Sequence, residues 1–329
     1  MGRDELESSM IREGSTMGSF PRPTAPETTR VAVLADLHLS TMEEGTWKVY
    51  HRTADRLRAA VRALNGQDLD AVVFLGDLTK DGAIADHRAV QRILADLDHP
   101  VFAVPGNHDL ELAGTDSPAL SLGGFKDRYA PGHLPFHRSV GGVDLFALNS
   151  HASTDEAPAE SWVGHVSADT LDWLDTHLEE ADHPLVAVHH TLPRTMEWYD
   201  RQQARLPVSS NPPIFENGAE LAALLRSHDV SLVLTAHLHF PAVIDSDGLN
   251  EVTVPPLGSF PSAYTIVEIA PGGTTITHHP VVDLAGHVES LGYGRESPRV
   301  LLAAAQLSRY PLVTDEADPR VEARPSDRK

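Results

Sequence analysis

This 329-residue sequence predicts an α/β fold with a largely parallel sheet, and three observations carry that reading. Short runs of aliphatic and β-branched residues recur along the chain, each bounded by turn residues. Between several of them lie longer stretches with a 3.6-residue apolar period. Beyond residue 239 the runs follow one another directly, separated by Gly and Pro turns. Strands alternating with helices imply parallel pairing, and strands in succession imply an antiparallel portion. The usual ~100–200 residues per domain would give two units, yet α/β folds reach about 250 as one. One large domain over 30–280 is therefore expected, with appendages at both ends.

Taken in order, residues 1–29 are polar and irregular, ending in Pro21, Pro23 and Pro26, and read as a disordered leader. Buried strands are expected at Val31–Ala35, Ala71–Leu75, Val101–Val104, Leu145–Leu148, Leu185–Val188 and Leu232–Thr235. Trp47–Leu64 places Val49, Thr53, Leu57, Ala60, Val61 and Leu64 on one helical stripe. Ala83–Leu97, Ala168–Glu180 and Gly218–Ser227 carry similar stripes. Ala242–Asp245, Glu251–Val254, Ala263–Ile269 and Thr274–His278 are the consecutive strands. Residues 281–329 form a C-terminal extension in which Arg299–Leu307 reads as a short helix and the last dozen residues as disordered.

Composition narrows the function classes. The chain has no cysteine, so a metal site must use carboxylate, amide and imidazole donors. No apolar run of about 18 residues occurs, and the first 29 residues lack the basic start and apolar stretch of a signal peptide. The expected location is cytoplasmic, with no membrane partner. A net charge of −21, from 26 Lys+Arg against 47 Asp+Glu, argues against binding long nucleic acid. An anionic small substrate would then need cations inside the site.

The chemistry-bearing residues lie where strands end. Val31–Ala35 runs into Asp36-Leu37-His38, Ala71–Leu75 into Gly76-Asp77, and Val101–Val104 through Pro105 to Gly106-Asn107-His108-Asp109. Leu185–Val188 runs into His189-His190, and Leu232–Thr235 into Ala236-His237-Leu238-His239. Open α/β sheets bind ligands at the carboxyl ends of their strands, so these residues should converge. Extended backbone would turn Asp36 and His38 the same way, and likewise His237 and His239. Each motif alone is a weak signal, since Gly-Asp is a common turn and the chain holds 19 histidines. Five in this order, each at a strand end, are a strong one.

Those motifs resemble the signature of the calcineurin-like metallophosphoesterase superfamily, over about residues 30–280. The Gly-Asn-His-Asp form, the His-His pair and the compact chain are most similar to its bacterial branch of cyclic-nucleotide and glycerophosphodiester phosphodiesterases. Two positions depart from the pattern: Ala236 stands where the family has Gly, and Thr191-Leu192 separates His190 from Pro193. The resemblance implies a four-layer α/β/β/α sandwich and two divalent or trivalent metal ions, of Mn, Fe, Zn or Co. It implies Asp36, His38 and His239 on one metal, Asn107, His189 and His237 on the other, and Asp77 bridging. It further implies in-line attack on phosphorus by a metal-bridging hydroxide, with His108 protonating or stabilising the leaving oxygen and Asp109 or another carboxylate orienting His108.

The insert at about 192–216 lies between two ligand-bearing strand ends and reads as a substrate-selecting lid. Trp198 and Tyr199 would stack a base, and Arg194 and His190 would contact phosphate; solvated or packing roles are equally open for these four residues. His151 reads as a rim residue, and His51, His87, His99, His177 and His228 as solvated. The leading expectation is a hydrolase of a small phosphodiester. A phosphomonoesterase is the first rival, and a scaffold without catalysis is the reading from another class. A homodimer is expected only by analogy with relatives.

Overall fold

The computed structural model describes residues 14–111, 118–154, 157–158, 163–210 and 214–312. Its strands and helices, in chain order, are β1 (Ser15–Phe20), β2 (Thr29–Leu34), α1 (Thr53–Leu64), β3 (Ala71–Phe74), α2 (Ile84–Leu94) and β4 (Val101–Ala103). There follow α3 (Leu122–Tyr129), β5 (Phe136–Val140), β6 (Val143–Ala147), β7 (Ala152–Thr154), β8 (Ala157–Pro158), α4 (Ala168–Leu178) and β9 (Pro184–Ala187). The chain continues through α5 (Pro193–Gln203), α6 (Gly218–Ser227), β10 (Leu232–Thr235), β11 (Ala242–Ser246), β12 (Leu249–Thr253), β13 (Ala263–Ala270) and β14 (Gly273–Pro280). It closes with α7 (Leu284–Gly294) and α8 (Pro298–Leu307).

Two six-stranded sheets, ordered β1-β14-β13-β2-β3-β4 and β11-β12-β10-β9-β6-β5, face each other. The first is parallel from β2 through β3 to its β4 edge and antiparallel from β2 through β13 and β14 to β1; the second is parallel at its centre, β6-β9-β10-β12, and antiparallel at both edges. The late strands are thus divided: β11 and β12 join the second sheet, while β13 and β14 join the first.

Period-two side chains explain the layering. In the second sheet Leu145, Ala147, Leu185, Ala187, Leu232 and Leu234 share one core with Val31–Leu34 and Val72–Phe74 of the first. The alternate residues Phe146, Val186 and Val233 turn outward onto Leu171, Leu174 and Leu178 of α4 and Leu221 and Leu225 of α6. Leu57, Ala60, Val61 and Leu64 of α1, with Val90 and Ile93 of α2, cover the other outer face. The result is the expected α/β/β/α sandwich. No described helix is long and apolar enough to cross a membrane.

Two expectations fail locally. The stretch read as a disordered leader contains β1, which pairs antiparallel with β14 and buries Met17 and Phe20; residues 1–13 lie outside the described residues. Its six residues include two serines, a threonine and a glycine, so the strand owes its existence to the β14 edge rather than to an apolar pattern of its own. The helix expected from Trp47 begins at Thr53, after a short 3-10 turn at Tyr50–Arg52. Val49 sits in the left-handed region at φ 48°, which a helix cannot pass through, and Trp47 and Lys48 are left outside it.

Candidate metal centre

The candidate ligands follow the carboxyl ends of β2, β3, β4, β9 and β10, where the two sheets meet. Asp36, His38, Asp77, His237 and His239 all have left-handed φ, at 51°, 46°, 53°, 68° and 58°. Convergence therefore comes from left-handed backbone and not from the strand alternation expected. Such conformations cost energy in non-glycine residues and persist only where neighbours hold them. Here Asp36 N–H donates to Gly76 O at 3.1 Å, His38 N–H to Asp77 O at 2.9 Å and Gly258 N–H to Asp36 O at 2.9 Å. The β3 and β4 loops cross at two glycines: a Cβ on Gly76 would strike the Gly106 backbone, and one on Gly106 would strike the Asp77 carboxylate.

Two donor groups result, Asp36, His38, Asp77 and His239, and Asp77, His189 and His237. Within each, one donor atom per residue lies within 4.8 Å of the others, and every member is buried. Asp77 belongs to both, its Oδ2 3.3 Å from His38 Nε2 and its Oδ1 3.6 Å from His189 Nε2. His38 Nε2 and His239 Nε2 are 2.9 Å apart, and His239 Nε2 is 3.4 Å from Asp36 Oδ1. His189 Nε2 lies 3.0 Å from His237 Nδ1 and 3.2 Å from Asn107 Oδ1.

This donor set fits metal ions. Both Asp36 oxygens and His237 Nε2 are buried with no hydrogen-bond partner, a costly state that cations would relieve. Outer contacts orient the rings, as metal-binding imidazoles require: His189 Nδ1–H donates to Leu75 O at 2.6 Å, and His239 Nδ1 meets Ser259 Oγ at 3.0 Å. Burial holds His38, His237 and His239 well below the usual imidazole range, which favours the neutral form that binds metal. Burial and then Asp77 push Asp36 up, against Lys48 and Arg299. Burial also opposes ionisation of Asp77, but His189, His108 and Lys48 hold its carboxyl below the usual value.

His108 lies at the edge of the cluster. Its N–H donates to Asp77 Oδ1 at 2.9 Å, its Nδ1–H to Lys80 O at 2.6 Å, and its Nε2 faces Lys48 Nζ at 3.4 Å. Asp109 does not orient the ring as expected. Its carboxylate is buried and accepts from the N–H groups of Thr79 at 3.1 Å and Gly106 at 2.9 Å, tying the β3 and β4 loops together. His87, expected to be solvated, is buried and donates from Nε2 to Asp109 O at 2.8 Å.

Of the two roles left open for the insert, its aromatics take packing. Helix α5 occupies Pro193–Gln203, Tyr199 is fully buried and Trp198 nearly so. Both rings stack on Phe240, at centroid distances of 5.5 and 5.6 Å for Tyr199 and Trp198. Arg194 is half-buried in the first turn of the helix. His190 is buried, 2.8 Å from Ser150 Oγ through Nδ1, with its ring 4.5 Å from that of His237. His151, expected at the rim, is fully buried behind it.

Sequence reasoning missed Trp47, Lys48, Glu251 and Arg299. Lys48 Nζ is 3.2 Å from His38 Nδ1, and Trp47 lies edge-on to His239 at 4.8 Å. Glu251 is buried and gathers three donors: Leu192 N–H at 2.8 Å, Thr195 Oγ1 at 2.6 Å and Thr235 Oγ1 at 2.8 Å. Burial raises its carboxyl to about 7 against those bonds. Its place at the start of the strand expected at Glu251–Val254 was the one available signal for it.

A profile described as calcineurin-like phosphoesterase matches residues 29–241. The chain is 29% identical over 214 residues to a 3',5'-cyclic-nucleotide phosphodiesterase of Nostoc sp., covering 64% of this chain and 71% of that one. It is 25% identical over 283 residues to the 3',5'-cyclic adenosine monophosphate phosphodiesterase of Escherichia coli K12, covering 82% and 92%. Among solved structures, a dimetal phosphatase from Danio rerio shares the fold with a TM-score of 0.59 at 19% identity, covering 78% of this chain and 97% of its own. With the donor groups at its strand ends, the chain belongs to the calcineurin-like phosphoesterase family and is a metal-dependent phosphoric ester hydrolase.

Proposed function

We propose that this hydrolase cleaves a small phosphodiester, with a cyclic nucleotide as the first substrate to test. The observation that carries the reading is the pair of buried donor groups sharing Asp77. The names of the Nostoc and Escherichia coli relatives support the diester and the cyclic nucleotide. Asp36, His38 and His239 would hold one cation and Asn107, His189 and His237 the second, with Asp77 belonging to both donor groups. Bound cations of the Mn, Fe, Zn or Co kind would supply Lewis-acid polarisation of the phosphoryl group and neutralise its charge.

The chain's own residues do the rest. His108, fixed by Lys80 O at Nδ1 and by Asp77 at its N–H, keeps Nε2 aimed into the site, where it serves the leaving oxygen. Asp109 acts one step away, holding the β3 and β4 loops so that Asp77 and His108 keep their places.

The test is hydrolysis of a chromogenic phosphodiester and its matching monoester by metal-stripped protein refilled with Mn²⁺. Metal-dependent cleavage favouring the diester, with activity on 3',5'-cyclic nucleotides, is the expected result. Preference for the monoester would replace the reading with a small-molecule phosphatase.

A further inference from the structure

Two cations converge on one indole at the edge of the metal centre. Helix α8 starts at Pro298, and its second residue, Arg299, places its guanidinium carbon 5.8 Å from the Trp47 ring centroid. Arg299 Nη1 donates to the His237 carbonyl at 3.3 Å. Lys48 Nζ lies 5.6 Å from the same centroid. Through its contact with His38, Lys48 borders one donor group, and through His237 Arg299 borders the other.

Neither cation is paired with a carboxylate among the described residues. Lys48 is nearly buried and Arg299 half-buried, in a chain with 47 acidic side chains to choose from. Buried or half-buried charges ordinarily have partners. Two more positive groups beside a pair of metal cations raise the demand for an anion still further. Tautomer chemistry sharpens this for Lys48. If His38 gives Nε2 to a metal, its proton stays on Nδ1, which can no longer accept from Lys48 Nζ. Among the described residues the ammonium then keeps only the His108 Nε2 lone pair, at 3.4 Å, for its three N–H groups.

Arg299 is held firmly enough to recognise one. Val300 and Ala303 of α8 are fully buried, and with Leu302 they pack in the cluster formed by Trp198, Tyr199 and Phe240. The family profile ends at residue 241, so nothing in the family match assigns this helix a role.

We propose that Arg299, seconded by Lys48 and set by Trp47, is the substrate-binding cation of the site and contacts the non-bridging oxygens of the substrate phosphate. The extension beyond β14 thereby completes the active site. This rests on the phosphoesterase reading above and extends it to a specificity-determining residue. A guanidinium offers five donors in a planar fork, suited to two oxygens of one phosphate.

The experiment titrates inorganic phosphate into the full-length Mn²⁺-loaded protein by calorimetry, for wild type, Arg299→Ala and Arg299→Lys, with bound metal counted in each. Arg299→Ala is expected to weaken phosphate binding about 10- to 100-fold, the size of one or two charge-assisted hydrogen bonds, at unchanged metal content. Arg299→Lys should fall between, and KM for a cleaved ester should rise far more than kcat falls. Because binding is read without turnover, a protein that binds phosphate but cleaves no diester refutes the diester reading and leaves this result standing. Unchanged phosphate affinity in Arg299→Ala overturns the proposal. So does loss of metal in that variant, which would make Arg299 a brace for the His237 loop.

Discussion

Two tryptophans differ in what the sequence says of them: Trp198 is left open between lid and packing, and Trp47 is placed at the head of a helix it does not join. Trp198 and its neighbour Tyr199 sit in an insert between ligand-bearing strands, which suggests a lid; they are core residues stacked on Phe240. Trp47 opens what reads as a helix; it lies outside that helix against His239, with Lys48 and Arg299 over its ring, and packs at the edge of the Phe240 cluster. The difference lies in the backbone. Pro193 and Glu251 together start helix α5 cleanly, so its apolar face turns inward. Left-handed Thr46 and Val49 break the other stripe before Thr53 and strand Trp47 at the site. Helical periodicity reports which residues would share a face, and says nothing of where the helix begins.

Three substitutions test that contrast, beginning on the Trp47 side. His108→Ala, removing the ring that faces Lys48, should lower kcat by ~10²–10⁴-fold while metal analysis finds the same content. A fall in metal content would give His108 a structural role instead. On the opposite side, Trp198→Ala should destabilise the fold by about 3–5 kcal/mol in urea unfolding, the usual cost of emptying a buried aromatic site. Preference between diester and monoester should not move. A shifted preference at full metal content would restore the lid.

The smallest effect concerns the clamp that starts α5. The Glu251 carboxyl is raised to about 7 from 4.5, so its contribution to stability is full below pH 4.5 and is lost as pH rises through about 7. Between those limits the loss amounts to about 3 kcal/mol for a shift of this size. Unfolding of metal-free protein across that range should show a flatter profile for Glu251→Gln than for wild type. Parallel profiles would mean the three donated hydrogen bonds outweigh burial.

Much of the candidate site was legible because each candidate ligand carries two signals at once, an apolar strand and a donor past its end. Asp36, Asp77, Asn107, His189 and His237 are found that way, and Asp77 falls in both donor groups. The layering was legible for the same reason, since Leu145, Leu185 and Leu232 alternate faces with Phe146, Val186 and Val233. What stayed hidden depends on contacts distant in sequence. Strand β1 exists through its pairing with β14, Asp109 reveals its role only where two loops cross, and Arg299 reaches the centre from 62 residues beyond His237. The left-handed conformations at Asp36, His38, Asp77, His237 and His239 were invisible too, because side-chain identity does not encode them.

The central claim is that this chain builds one dinuclear centre around Asp77. Metal stoichiometry of the purified protein and of Asp77→Asn, measured by mass spectrometry after refilling with Mn²⁺, tests it most directly. The account predicts two metals per wild-type chain and loss of both tight sites in the variant. A single metal in wild type, or two retained by Asp77→Asn, would contradict it.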